Sequence, residues 1–166
     1  AFDISTASYD SISFSFTGQD ANPYGLRFNN DGTKMYMVGT NTDFVFQYSL
    51  STAYNVSTAS YDSVALNVDG QDASPNGITF NSDGTKLFMI GIDNDAVFQY
   101  SLSTAFDLST ASYDNISFSV DTQDSSNQGL TFSSDGTKLY VVGDASDAIF
   151  QYSSGIAGYP TASPVT

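Results

Sequence analysis

One unit of 52 residues recurs three times along the chain, in a frame fixed by Asp31-Gly32-Thr33-Lys34, Asp83-Gly84-Thr85-Lys86 and Asp135-Gly136-Thr137-Lys138 (83 − 31 = 52; 135 − 83 = 52). Phe46-Gln47-Tyr48, Phe98-Gln99-Tyr100 and Phe150-Gln151-Tyr152 keep the frame, as do the Ser-Thr-Ala-Ser-Tyr-Asp runs that start at Ser5, Ser57 and Ser109. A period of this size restricts the chain to a solenoid, a propeller or an array, because a single unit cannot bury its apolar face and must stack on the next. The units run 1–53, 54–105 and 106–152, and residues 153–166 form a C-terminal tail outside the repeat.

Composition selects strands over helices. All 18 acidic residues are Asp, and only Arg27, Lys34, Lys86 and Lys138 oppose them. A chain without Glu and nearly without Lys lacks the strong helix formers, while abundant Ser, Thr and Gly supply turns. Within the second unit, Val64-Ala65-Leu66-Asn67-Val68 alternates as a half-buried strand does. Gly77-Ile78-Thr79-Phe80 and Leu87-Phe88-Met89-Ile90 flank an Asp-Gly hairpin turn, and Ala96-Val97-Phe98-Gln99-Tyr100 follows a polar loop. Each unit therefore reads as four short antiparallel strands with the most apolar one in the middle, which is the blade of a β-propeller.

The pattern Gly-Leu/Ile-x-Phe-x-x-Asp-Gly-x-Lys-Leu/Met-Tyr/Phe, followed by glycine, an Asp-containing loop and an apolar strand, resembles the blades of YVTN and lactonase-like bacterial propellers over residues 11 to 152. The chain departs from that pattern by a Ser/Thr-rich insertion between the third and fourth strands of each blade. With the Gly-Leu/Ile-x-Phe strand innermost as A, the order is D-ABC-D-ABC-D-ABC. The opening strand, Ile12 to Phe16, is then an outer strand without a blade, and the last blade stops at its third strand near Tyr152.

Known propellers use about 4–8 blades, so three four-stranded blades per chain cannot close a ring alone. Two copies supply 3 + 3 = 6, and the expectation is a head-to-tail homodimer. A nine-bladed trimer and a piece of a longer propeller are the alternatives. Residue 1 is not Met and no signal peptide follows it, so it is expected to mark a boundary left by processing or expression.

The net charge of −14 excludes nucleic acid as a partner, since four basic residues release few counterions from a phosphate backbone. No apolar run approaches the length of a membrane span. Low Lys content and missing Cys point to a secreted or surface-associated protein. The chain has no His, Cys, Glu or Trp, which removes the familiar nucleophile–base pairs and the His or Glu on which enzymes of the resembled family rely.

The sequence accordingly reads as no enzyme but a non-catalytic binding module that recognises glycan or protein through an acidic loop face. A purely structural ring in a surface or virion assembly is the alternative, and a hydrolase is third. Binding residues are sought where the copies differ: Tyr24, Arg27, Asn76 and Gln128. No cofactor is expected. Calcium is the one metal the residues permit, and Asp20, Asp72 and Asp124, one in each D-to-A loop, are its candidate ligands. Asp31, Asp83 and Asp135 are expected to brace their turns, and Asp43, Asp95 and Asp147 to accept local backbone bonds.

Overall fold

The computed structural model describes Ser5 and residues 7–154. It is all-β, built as three consecutive antiparallel sheets. The first holds β1 (Pro23–Phe28), β2 (Lys34–Gly39), β3 (Phe44–Leu50) and β4 (Ala59–Asn67) in that order. The second repeats it with β5 (Pro75–Phe80), β6 (Lys86–Gly91), β7 (Ala96–Leu102) and β8 (Ala111–Ser119). The third contains β9 (Asn127–Phe132), β10 (Lys138–Gly143) and β11 (Ala148–Ser153). Among the described residues the third blade is thus three-stranded, as expected of a last blade that stops at its third strand near Tyr152.

The opening segment differs as well. Ile12 to Phe16 was expected to be a strand, yet residues 7–22 form none. The reason is the absence of a neighbour, since a strand's backbone groups need a ladder partner.

Each A–B hairpin turns where the sequence places Asp-Gly. Gly32 and Gly84 take φ of +73°, where a Cβ is disfavoured. Asp31 Oδ1 accepts the Thr33 N–H at 3.0 Å, and Asp83 does the same for Thr85 at 2.9 Å. The outer strands start earlier than the alternation suggested, at Ala59 and Ala111, after a 3-10 turn at Val56–Thr58 or Leu108–Thr110. A bulge between Gln47 and Tyr48, repeated between Gln99 and Tyr100, accommodates the extra length through positive φ at Ser63 and Asn115. The end of the apparent insertion, Ala59 to Tyr61 in the first blade, is therefore strand.

Blades pack face to face. Tyr36, Val38 and Val45 of the first meet Leu87, Met89 and Tyr100 of the second in one buried cluster, and Ile90 and Val97 of the second meet Leu139 and Val141 of the third. The inner strands lie side by side, β1 against β5 and β5 against β9. A Cβ on Gly25 would lie 2.9 Å from the Asn76 carbonyl oxygen, and one on Gly77 would lie 3.1 Å from Gly129 Cα. Glycine lets the inner strands converge there. No helix of the described residues is long and apolar enough to cross a membrane.

Candidate functional site at the loop face

The D-to-A and B-to-C loops emerge at one end of the blades, and three buried carboxylates tie them together. Asp20 accepts the N–H of Asn22 at 2.6 Å and, across to the other loop, the N–H and hydroxyl of Thr42 at 3.0 and 2.7 Å. Asp72 accepts from the N–H of Ser74 and of Asn94, each at 2.9 Å. Asp124 takes the N–H of Ser126 at 2.7 Å, the N–H of Ser146 at 2.8 Å and the Ser146 hydroxyl. That hydroxyl above all holds the Asp124 carboxyl below the usual range. A Cβ on Gly39, Gly91 or Gly143 would strike these carboxyl groups at 2.5, 2.2 and 2.1 Å. Loop bracing thus occupies the three residues in which calcium ligation was sought. Among the described residues no three acidic groups are gathered to hold a metal ion.

Of the four residues singled out by variation between copies, three share one frame position at the loop end of the inner strands: Tyr24, Asn76 and Gln128 are the second residues of β1, β5 and β9. Asn76 Nδ2 donates to the Asn127 carbonyl at 3.2 Å and to Gln128 Oε1 at 3.4 Å. Tyr24 is exposed. Arg27 is not beside them. It stands three residues further down β1, opposite Tyr36, and it pairs with no Asp among the described residues. Its guanidinium donates to the carbonyls of Leu26 at 3.1 Å and Leu130 at 3.4 Å, linking the first and third blades.

Asp43 and Asp95 open β3 and β7 from positive φ, and their carbonyl oxygens accept Val68 N–H at 3.0 Å and Val120 N–H at 2.8 Å. Their side chains differ. Asp95 Oδ1 accepts from Asn127 Nδ2 at 3.0 Å, whereas position 75, the counterpart of Asn127 one unit earlier, is Pro. Asp43 Oδ1 is consequently buried without a hydrogen-bond partner among the described residues. Burial, and then the negative charge of Asp69, push the Asp43 carboxyl up from its ordinary value, and burial does the same at Asp95. Asn76 Oδ1 and Asn127 Oδ1 are likewise buried and unpaired. The sequence reading expected Asp43 to accept local backbone bonds; the signal that sets it apart is Pro75, read across a blade boundary.

No protein-family model matches the chain, and no curated protein matches its sequence. Solved structures do. A Bacteroides uniformis protein assigned as a 6-phosphogluconolactonase superposes with a TM-score of 0.63 at 14% identity, over 82% of this chain and 38% of its own. The periplasmic gluconolactonase of Pseudomonas aeruginosa gives 0.60 at 15% identity, over 81% of this chain and 36% of its own. Virginiamycin B lyase of Staphylococcus aureus gives 0.51 at 16%, over 82% and 43%. At these identities the likeness is one of fold, a propeller-type blade array, and the chain spans little more than a third of the two lactonase-type proteins. It nonetheless corrects the expectation of a non-catalytic module and of no enzyme. Proteins named as lactonases are built on blades of this fold, so the fold itself is no argument against catalysis.

Proposed function

We propose that two copies of this chain close a six-bladed ring (3 + 3 = 6) and that the ring's acidic mouth hydrolyses a neutral cyclic ester, such as the lactone of a sugar acid. The Asp43 carboxylate carries this reading: it has a buried oxygen free of any partner and a pKa raised by burial, and it lies at the loop face. A carboxylate whose pKa moves toward neutrality is a better general base.

In this mechanism Asp43 takes a proton from a water molecule as the water oxygen bonds to the lactone carbonyl carbon. The tetrahedral intermediate then expels the ring oxygen, which receives that proton, and the product is the open hydroxy acid. The exposed Gln128 amide and Tyr24 hydroxyl suit hydrogen bonding to sugar hydroxyls, while the buried Asn76 amide donates to Gln128 Oε1 and orients it. A net charge of −14 disfavours a phosphorylated substrate and favours departure of the anionic product.

The test is hydrolysis of glucono-δ-lactone, measured above its spontaneous rate, by the parent protein and by Asp43→Asn. The expected outcome is a rate above background that falls by about 100-fold in the variant. A parent rate equal to background overturns the hydrolase reading, and a full rate in the variant removes Asp43 from it.

A further inference from the structure

In the first two blades the outer strand delivers an aspartate to three waiting groups. Asp62 Oδ2 accepts from Lys34 Nζ at 3.1 Å, Gln47 Nε2 at 2.8 Å and Ser49 Oγ at 3.0 Å. Asp114 is bound by Lys86 at 2.8 Å, Gln99 at 2.6 Å and Ser101 at 2.5 Å. The third blade has the three groups and no aspartate. Lys138 Nζ reaches only Ser153 Oγ, at 2.8 Å, without a carboxylate partner among the described residues, and Gln151 is exposed. One repeat before Asp62 (62 − 52 = 10) stands Asp10, exposed in the strandless opening segment.

That segment already has the shape of an outer strand. Ser11 has φ of 58°, matching 58° at Ser63 and 57° at Asn115, the bulge residues of β4 and β8. Phe14 and Phe16 pack edge-on against Tyr48 at 5.3 and 5.5 Å, where Leu66 and Val68 join Tyr100 in the second blade's cluster. Its face is thus seated on the first blade while its edge pairs with no strand among the described residues.

The two ends of the blade stack match in the same way. Leu26 on the outer face of the first blade is 45% exposed, although its counterparts Ile78 and Leu130 are buried. Val142 and Ile149 on the outer face of the third are 43% and 72% exposed, although Val38 and Val45 and then Ile90 and Val97 are buried in those places. Between the first and second blades, Phe106 stacks on Phe80 at 5.3 Å and Leu108 joins the cluster. A cavity of about 950 Å³, lined in part by Phe88 and Phe132, occupies the corresponding place between the second and third. Residues 1–10 repeat residues 105–114 with Ile4 for Leu108 as the one change, so the frame aligns Phe2 and Ile4, outside the described residues, with Phe106 and Leu108.

We propose that residues 7–16 of one copy pair with β11 of a second copy as the missing fourth strand, seating Asp10 on Lys138, Gln151 and Ser153 across the junction. This rests on the ring reading above and specifies its junction. A second copy is the occupant because, in one chain, the segment stays on the first blade while β11 stands two blades away. The register follows from Ala96↔Ser119 and Gln99↔Ile116 in the second blade: Ala148 faces Ser15 and Gln151 faces Ile12.

The chain has no cysteine, so a disulfide reports the junction directly. The double variant Ser15→Cys with Ala148→Cys places two thiols at directly opposed strand positions, about 4.5–5.5 Å apart at Cα. Its mass is read by light scattering and by denaturing electrophoresis without reductant. A covalent two-chain species (2 × 17.7 = 35.4 kDa) is expected, and the offset pair Ser13→Cys with Ala148→Cys should link poorly. A covalent three-chain species keeps the junction and replaces the six-bladed ring with nine blades. A native two-chain mass with no crosslink overturns the junction but leaves the ring. Intrachain linkage, or a folded monomer without linkage, overturns both.

Discussion

The Tyr36 hydroxyl donates to the Phe106 carbonyl at 2.5 Å, across 70 residues of sequence, and so fastens the central strand of the first blade to the connector of the second. Tyr36 is fully buried, and its pKa is raised chiefly by desolvation and then by Asp107. Removal of the hydroxyl leaves a buried carbonyl without that donor. Tyr36→Phe should destabilise the fold by about 1–2 kcal/mol, read as a lower urea midpoint at unchanged slope. An unchanged midpoint would mean that the phenol contributes only its ring.

Carboxylates in this protein pull stability in two directions as pH changes. At Asp62, burial raises the pKa, but bonds from Gln47, Ser49 and Lys34 together outweigh it and leave it lowered; Asp114 behaves alike with Lys86, Ser101 and Gln99. Asp135 is held to about 2, first by the Ser133 hydroxyl. A depressed folded-state pKa gives stability that is present above the unfolded value and lost as pH falls through the folded one. Asp43 and Asp95 have raised values, so protonating them favours the fold. Thermal melts should therefore show stability rising slightly from neutral into mildly acidic pH, then falling steeply below the ordinary carboxylate value of 3.8. A monotonic loss of stability from neutral downward would contradict the assignment at Asp43.

Asp43→Asn separates stability from activity. The amide carries no charge to desolvate, so the variant should melt at or above the parent temperature while losing hydrolysis. A lower melting temperature together with lost activity would make Asp43 a structural residue.

Calcium provides a contrast with the loop braces. The Asp72 carboxylate is committed to the Ser74 and Asn94 N–H groups, so millimolar calcium at fixed ionic strength should leave the melting temperature unchanged. Asp72→Asn should lower it with or without the ion. A ligand bound only to the native state must stabilise it, and a calcium-dependent rise lost in Asp72→Asn would restore these residues as metal ligands.

Repeat phase made the blades legible before any coordinates. Residue type and spacing sufficed for the Asp-Gly turns and for the apolar central strands β2, β6 and β10. The early start of β4 was hidden because Ser60 and Asp62 are polar, although Ala59, Tyr61 and the bulge at Ser63 restore alternation. Asp20, Asp72 and Asp124 drew attention as an acidic ring, because sequence cannot show that each lies over a glycine and between two loops. Asp43 was hidden for the opposite reason: its own surroundings match those of Asp95, and the missing donor belongs to the neighbouring blade.

Charge reversal at the junction distinguishes even rings from odd ones. Asp10→Lys alone sets two cations against each other at every junction between identical copies, and Lys138→Asp alone sets two anions there, so each variant should lose the two-chain mass at low ionic strength, where screening is weak. In an equimolar mixture, a ring that alternates the variants has opposite charges at both of its junctions, one in the parental sense and one reversed. The two-chain mass should return. A three-chain ring cannot alternate two variants without one like-charged junction and would not be rescued. Closure within a single chain would instead be restored by the double variant and never by mixing. Light scattering of the two variants, their mixture and the double variant reads all of these outcomes from one series.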